Sequence, residues 1–561
     1  MMADPDEQGP EPAPSSGTGV PAPGRLSRHR RRWLLAALGV AAVLGSLVFG
    51  VTTARVTSSL GPHEAVYAVT TDGTVTVDVG PLGTLQIDSP LPLHLGVRVT
   101  VGEIPASFTE LDQASTLQAL SGDAASYVQF FSAPQAAVHD VARGLVVDAV
   151  SRALGALTVL GGVWWLGRAL LGPRRRAELT ERVWRERRRV AVAGGVVVAV
   201  VLVVTSSGVR TPAPPEGEAA SAVFAGTPLE GARVTGRLGG VLDTYGGYVV
   251  DAYRENQAFY ARADTALQTA LDAQELGRAG SRDVATRLER LVAGPTATPA
   301  PERELLTLVV VSDLHCNVGM APLVTTLVER TGAEVVLDAG DTTMNGTSVE
   351  QYCVTTFARA VPRGVDLVTS PGNHDSDETS RSYARAGATV LSGSVVTVRG
   401  LRVLGDHDPN QTRVGGGTSS AGVESLEDEA ARLARTACDA GDGVDLLLIH
   451  NPAVGEPALD EGCVPAQVSG HLHRRYGPEV VGQGVRYVSS SSAGATLGEP
   501  TIGVLHGTAE MTVLRWDPAD RSFVDYQVVQ VHPDGGVELQ PRTAWPPRPP
   551  VALDPQVPGL P

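Results

Sequence analysis

LLTLVVVSDLH, residues 305–315, is a short β-type run that stops in a cluster of polar side chains. The pattern recurs downstream. Residues 334–337 (EVVL) lead through Asp338 and Ala339 into Gly340-Asp341, and residues 365–369 (VDLVT) lead into Gly372-Asn373-His374-Asp375. Residues 444–449 (VDLLLI) end at His450, and residues 467–469 (QVS) end at Gly470-His471-Leu472-His473. In α/β sheets the residues just past the strand ends share one rim, where ligands bind. Five clusters of Asp, His and Asn, spread over about 160 residues, are therefore expected to converge.

The residue types suit one chemistry. Carboxylate, imidazole and amide-oxygen donors favour hard or borderline divalent metals, and the set needs no cysteine. One carboxylate can bridge two ions, and a pair of ions clamps the attacking and leaving oxygens of a phosphoryl transfer. In Asp313-x-His315 and His471-x-His473, alternate residues of extended backbone point the same way, so each pair can face one metal cluster. Glycines ahead of Asp341, Asn373 and His471 allow tight turns and close backbone approach.

The ordered set D-x-H, G-D, G-N-H-D, H and G-H-x-H resembles the calcineurin-like metallophosphoesterase superfamily, over about 235 of the 561 residues. The resemblance implies an αββα sandwich, two mixed sheets flanked by helices. It implies two divalent metal ions (Mn, Fe or Zn), one held by Asp313, His315 and His473, the other by Asn373, His450 and His471, with Asp341 bridging. It places His374 over the phosphate, to protonate the leaving oxygen or stabilise its charge, and assigns Asp375 to orient that imidazole. The activity implied is hydrolysis of a phosphomonoester or phosphodiester by hydroxide held on the metals. This sequence departs from part of the pattern. Gly340-Asp341 continues as Thr-Thr-Met-Asn-Gly (342–346), with neither the further Asp of many relatives nor the Arg of some phosphoprotein phosphatases. That weighs against a serine/threonine phosphoprotein phosphatase. The alternative is a catalytically inactive membrane receptor or scaffold with a phosphoesterase-like domain.

Other residues are weaker candidates. Arg474 and Arg475 follow the last motif and either contact a substrate phosphate or lie on the surface. His407, within Gly405-Asp406-His407-Asp408, looks like part of a metal cluster but has no place in the family pattern. The four cysteines, Cys316, Cys353, Cys438 and Cys463, allow three pairings. Cys316 and Cys353 lie near metal-binding loops, and Cys438 and Cys463 flank the His450 strand. Pairing 316–353 and 438–463 is expected, with four separate thiols as the alternative.

Net charge is −16, and residues 303–538 carry 31 Asp/Glu against 16 Arg. So acidic a surface repels a long polyanion, and no nucleic-acid partner is expected. All basic residues other than histidine are arginine, and the abundance of Ala, Gly, Val and Pro suggests a GC-rich bacterial gene.

Three apolar stretches, 33–52, 153–171 and 190–209, are each about 20 residues, the length a helix needs to cross a bilayer. Arginines before the first and throughout 173–189 mark those segments as cytoplasmic. The predicted arrangement is a disordered cytoplasmic tail (1–32), a first span, and an extracytoplasmic module at 57–150, β-rich and then helical. A second span, a cytoplasmic loop (173–189) and a third span follow. Beyond them come a linker and helical segment (210–302), the phosphoesterase domain (303–538) and a disordered Pro-rich tail (539–561). The chain is thus expected to be multi-pass, with its catalytic domain outside the cytoplasm.

Overall fold

The computed structural model describes residues 28–61, 63–102, 134–175, 178, 218–219, 224–227, 229–293, 303–413, 417–496, 501 and 503–549. It divides into two compact units, Met1–Val51 with Ala149–Val197, and Thr52–Asp148 with Val198–Pro561.

The first unit contains most of helix α1 (Arg28–Thr53) and the C-terminal part of α2 (Pro134–Leu170). The two helices meet closely at Gly50, where a Cβ would lie 2.3 Å from the Ala149 carbonyl oxygen. Small residues of this kind let apolar helices pack backbone to backbone. Among the described residues one helix, Val138–Leu170, is long and apolar enough to cross a membrane, and the apolar part of α1, Leu38–Thr53, is shorter. The expected third span at 190–209 and most of the arginine-rich loop lie outside the described residues, so three spans are not seen.

In the second unit, strands β1 (Arg55–Leu60), β2 (His63–Thr70), β3 (Thr74–Asp78), β4 (Thr84–Asp88), β5 (Gly96–Val101), β6 (Glu218–Ala219) and β7 (Arg233–Val234) form one sheet in the order β1-β2-β5-β3-β4-β7-β6. The sequence suggests a hairpin across Thr71-Asp72-Gly73-Thr74. A turn is there, but β5 lies between β2 and β3. Gly96 makes this possible, since a Cβ on it would come within 2.2 Å of the Thr74 carbonyl and 2.5 Å of Asp72 Oδ1. Sequence also allows strands across 229–249, yet only Arg233–Val234 is one, and helix α3 runs from Leu238 to Ala293.

The remainder is a four-layer sandwich. One sheet, ordered β11-β10-β9-β8-β20-β21-β22, contains β8 (Leu306–Val311), β9 (Val335–Asp338), β10 (Asp366–Thr369), β11 (Thr389–Val390), β20 (Ala509–Asp517), β21 (Ser522–Val531) and β22 (Val537–Leu539). The other, ordered β12-β13-β16-β17-β19-β18, contains β12 (Val396–Val398), β13 (Leu401–Leu404), β16 (Leu446–Leu448), β17 (Ala466–Ser469), β18 (Tyr476–Val481) and β19 (Gly484–Val488). Alternation on β8 divides its side chains between two cores. Leu306, Leu308 and Val310 join Leu401, Val403, Leu446, Leu448 and Val468 between the sheets. Val309 and Val311 face the helices α3, α4 (Ala321–Thr331) and α5 (Gln351–Ala360). Behind the second sheet pack α7 (Leu426–Cys438) and the short α8 (Glu456–Asp460), while α6 (Asp377–Ala386) follows β10. Strands β8, β9 and β10 are mutually parallel, as are β13, β16, β17 and β19. Their C-terminal ends therefore form the common rim that the sequence implies.

Two boundaries move. Residues Phe259, Tyr260, Ala263, Leu267 and Leu271 of α3 are buried in the same core as Val309 and Val311. Four-residue spacing from 259 to 271 keeps most of this face on one side of the helix. The sandwich thus recruits chain that the sequence reading leaves in a linker. At the other end, β23 (Thr543–Ala544) pairs with β21, and Trp545 packs on Phe523 at 5.1 Å between ring centroids. The Pro-rich tail is therefore ordered through Trp545, because an aromatic side chain has a core to enter.

Both expected disulfides are present, Cys316–Cys353 and Cys438–Cys463.

Leu267→Ala should lower the unfolding free energy of the sandwich by about 3 kcal/mol, measured in denaturant; wild-type stability would show that α3 is not part of the core. On α7, Glu429 is 1% exposed, and neither carboxylate oxygen has a hydrogen-bond partner among the described residues. Burial, then the charges of Asp406 and Asp408, push its pKa from 4.5 to about 8. The folded state then binds more protons than the unfolded state between those values. Stability should fall as pH rises from about 4.5 to 8, and Glu429→Gln should flatten that slope in pH-dependent denaturation.

Candidate metal centre

Each predicted ligand lies just past a parallel strand: Asp313 and His315 after β8, Asp341 after β9, Asn373 after β10, His450 after β16, and His471 and His473 after β17. The structure brings all seven together in two groups. Asp313, His315, Asp341 and His473 offer ligand atoms within 4.8 Å of one another, and so do Asp341, His450 and His471. Asp341 belongs to both. Asn373 joins the second group, with Oδ1 2.9 Å from His471 Nδ1 and 3.1 Å from His450 Nε2.

The loops achieve this in a way the sequence did not suggest. Asp313 and His315 are not in extended backbone; their φ angles are 50° and 40°, and those of His471 and His473 are 72° and 52°. Asp341 is left-handed as well, at 58°. Such conformations are uncommon for non-glycine residues and collect at functional sites. Cross-loop main-chain bonds hold them, from Asp313 N–H to the Gly340 carbonyl and from His315 N–H to the Asp341 carbonyl, both 2.9 Å. Two glycines are required sterically. A Cβ on Gly372 would lie 2.2 Å from Asp341 Oδ1, and one on Gly470 would lie 1.8 Å from Ser312 Oγ.

Whether metal ions fit can be judged from the donor atoms. His450 Nδ1 lies 2.7 Å from the Ala339 carbonyl, so it carries a proton, and Nε2 is the nitrogen that would be left for a metal ion. That nitrogen faces Asp341 Oδ2 at 3.1 Å, Asn373 Oδ1 at 3.1 Å and His471 Nδ1 at 3.2 Å. In the other group His315 Nε2 is 2.9 Å from His473 Nε2, and His473 Nε2 is 3.4 Å from Asp313 Oδ1. The buried His315 Nδ1 has no hydrogen-bond partner among the described residues. Without an ion, protons on the imidazoles bridge these contacts; a bound cation would take the place of those protons. Neighbouring ligands of an ion bound at about 2.1 Å lie about 3 Å apart in octahedral geometry, which matches. The residues therefore fit divalent ions, and nitrogen and oxygen donors without thiolate suit Mn, Fe or Zn.

Electrostatics divide the four imidazoles: burial opposes charge on His450 and His473, but the carboxylates of Asp341 and Asp313 outweigh it and raise both, whereas the other two shift down. Burial, then the charge of His374, push the His315 pKa down to about 3; burial, then the charge of His450, push that of His471 down to about 4. Both imidazoles are neutral at neutral pH, as metal ligands must be. Burial alone would raise Asp341, but the positive charges of His450 and His374 hold it well below the usual carboxylate range. Asp341 stays an anion.

His374 stands beside the centre. Its ring meets that of His315 edge to face at 4.9 Å, and its main-chain N–H donates to Asp341 Oδ1 at 2.8 Å. Its Nδ1 lies 2.7 Å from the Met344 carbonyl. That carbonyl, not Asp375, orients the imidazole. Asp375 is buried and faces the other way, its Oδ2 accepting N–H bonds from Asp341 and Gly372, both 2.9 Å, and its Oδ1 accepting from the Thr343 N–H and hydroxyl at 3.1 and 2.9 Å. The expected catalytic carboxylate instead staples two loops together.

The weaker candidates are otherwise engaged. Arg475 pairs with Glu510 at 3.0 Å, and Arg474 lies over the Tyr476 ring. His407 joins neither donor group, whereas its neighbour Asp408 is buried, with Oδ2 lacking a hydrogen-bond partner among the described residues. Sequence reading missed β14 (Asn410–Arg413) and β15 (Gly417–Ser420), a hairpin that contacts Asn373. Its polar, weakly alternating sequence carries no motif.

Residues 306–475 match the family described as calcineurin-like phosphoesterase, so this part of the chain is a domain of that family. No protein of curated function matches the sequence. Among solved structures, the chain is similar to an archaeal phosphodiesterase at 12% identity and TM-score 0.25, over 40% of this chain and 99% of that one. It is also similar to a phosphatase from Mycoplasma pneumoniae, at 10% identity and TM-score 0.28, over 41% and 95%. An NAD nucleotidase from Haemophilus influenzae aligns at 14% identity and TM-score 0.26, over 43% and 50%.

Asp375→Asn should act through the loops rather than through proton transfer. Replacing an ionised acceptor of several buried N–H groups should cost about 2 kcal/mol or more and weaken metal binding. Calorimetry of the variant checks both; an altered pH–rate profile with intact metal binding would restore the orienting role.

Proposed function

We propose that this chain is a dinuclear-metal phosphoesterase that hydrolyses a phosphomonoester or phosphodiester, with its catalytic domain on the outer side of a membrane. The observation that carries this reading is the pair of donor clusters sharing Asp341, with His374 beside them. When bound, the two cations would supply an activated water near neutral pH and offset the charge of the phosphate. Asp313, His315, His473 and Asp341 would hold one, and Asp341, Asn373, His450 and His471 the other.

The protein's own groups then have defined tasks. With Nδ1–H given to the Met344 carbonyl, His374 presents Nε2 as the end that can pass a proton to the leaving oxygen. The T-shaped contact with His315 and the N–H bond to Asp341 fix its ring over the centre. Asp375 acts through the main chain of Asp341, Gly372 and Thr343, keeping the bridging carboxylate in register. A complete donor set argues against an inactive receptor or scaffold. The acidic domain favours small esters over nucleic acid.

Three features support the location. Helix Val138–Leu170 has the length and composition of a span, arginines crowd 173–189, and two disulfides fit an oxidising compartment.

The full chain in detergent, stripped by chelator and reloaded with Mn, should hydrolyse chromogenic mono- or diesters. His374→Ala should lower kcat by about 10²- to 10⁴-fold with both ions still bound, whereas Asp341→Asn should lose metal. Variants as active as wild type, with no metal in any of them, would sink the enzyme reading. Protease added to intact cells should remove the catalytic domain; full protection would reverse the topology.

A further inference from the structure

We propose that the β14–β15 hairpin is a positioning element of the metal centre: Thr412 holds the Asn373 amide with its oxygen inward, and Arg413 clamps the main chain of residues 373–375. This rests on the metal-centre reading above.

An asparagine amide has an accepting end and a donating end of nearly the same shape. Only the oxygen can serve as a ligand. Beside Asn373 stand His450 Nε2 and His471 Nδ1, at 3.1 and 2.9 Å from Oδ1, the nitrogens that would share an ion with that oxygen. A flipped amide would turn its N–H groups toward those nitrogens and its oxygen away, an arrangement that cannot bind metal.

The hairpin opposes that flip. Asn373 Nδ2 donates to Thr412 Oγ1 at 2.7 Å. Thr412 Oγ1 is in turn 2.9 Å from Thr418 Oγ1, its partner in the ladder, to which it can give its own proton and so remain an acceptor for Asn373. The Thr412 N–H also binds the Asn373 carbonyl at 2.7 Å, so the same residue grips side chain and main chain. Arg413 completes the clamp. Its Nη1 donates to the carbonyls of Asn373 at 3.2 Å and His374 at 3.5 Å, and its Nη2 to that of Asp375 at 3.2 Å. Three successive carbonyls of the loop that carries both a ligand and the proton donor are thus tied to one guanidinium. Its planar fork suits that task as an ammonium would not.

The test is titration of apo full-length protein with Mn²⁺ by calorimetry. Wild type should bind two ions. Thr412→Val should weaken one of the two by about 10- to 100-fold, as loss of an outer-shell partner does, and leave the other within a few-fold. Thr412→Ser, which keeps the hydroxyl, should restore it. The hairpin lies at the surface, with β15 exposed, so circular dichroism should show Thr412→Val folded. Should it not fold, Arg413→Met keeps Thr412 and is expected to weaken the same ion by a smaller factor. Two ions bound as in wild type by the folded variants would overturn the proposal. Wild type binding no metal would instead remove the premise, a distinct result.

Discussion

Donor atoms of Asp341, Asn373, His450 and His471 are held at hydrogen-bond distance from one another, around a single buried carboxylate. The sandwich exists to sustain that arrangement. In water these groups would turn away from each other; here His450 is fully buried, its outer nitrogen is occupied by the Ala339 carbonyl, and its inner one has nowhere else to point. Asp341 cannot retreat either. Its N–H is bonded to Asp375, its carbonyl to the His315 N–H, and its Oδ1 to the His374 N–H. The site is a constellation of donors made permanent by its surroundings, and a cation that entered it would find them already in place.

The strain of left-handed backbone at five of the candidate donors, costing of order 1–3 kcal/mol each, has to be offset by packing elsewhere. Two apolar cores, one on each face of β8, are available for that. Helix α3 is part of the first. Tyr260 on that helix donates its hydroxyl to Asn317 Oδ1 at 2.9 Å, two residues beyond His315, and its ring fills the space that a Cβ on Gly319 would need. A helix outside the family-matched segment thus buttresses the first metal loop directly.

Much of this was legible in the sequence, for a physical reason. Polar residues at strand ends leave a double mark, an apolar run followed by a polar cluster, and all seven candidate donors that the structure brings together carry it. What escaped shares the opposite property. The acceptor that orients His374 is a main-chain carbonyl, at Met344, and backbone has no letter. Asp375 adjoins His374 in the chain and was assigned to it, yet its carboxylate is drawn to N–H groups of the Asp341 loop. Thr412 and Arg413 act through a hairpin with no apolar face, so periodicity gave no sign of it. The α3 contribution is written in a four-residue spacing, but on a helix polar enough to be placed outside the phosphoesterase domain, in the linker and helical segment. Left-handed φ at Asp313 and His471 was invisible because it is imposed by partners on other loops.

The two disulfides have a topology of their own. Each joins cysteines that are consecutive along the chain, 37 and 25 residues apart, and neither loop encloses or overlaps the other. A chain that emerges through a pore amino end first would present Cys316 and Cys353 before Cys438 and Cys463. An oxidant that simply joins thiols in order of arrival would then make the native bonds, with no mispaired species for an isomerase to repair. The first bond also tethers the loop of His315 to α5 before the strands carrying His450 and His471 have been delivered. Half of the metal centre could be framed while the other half is still in transit.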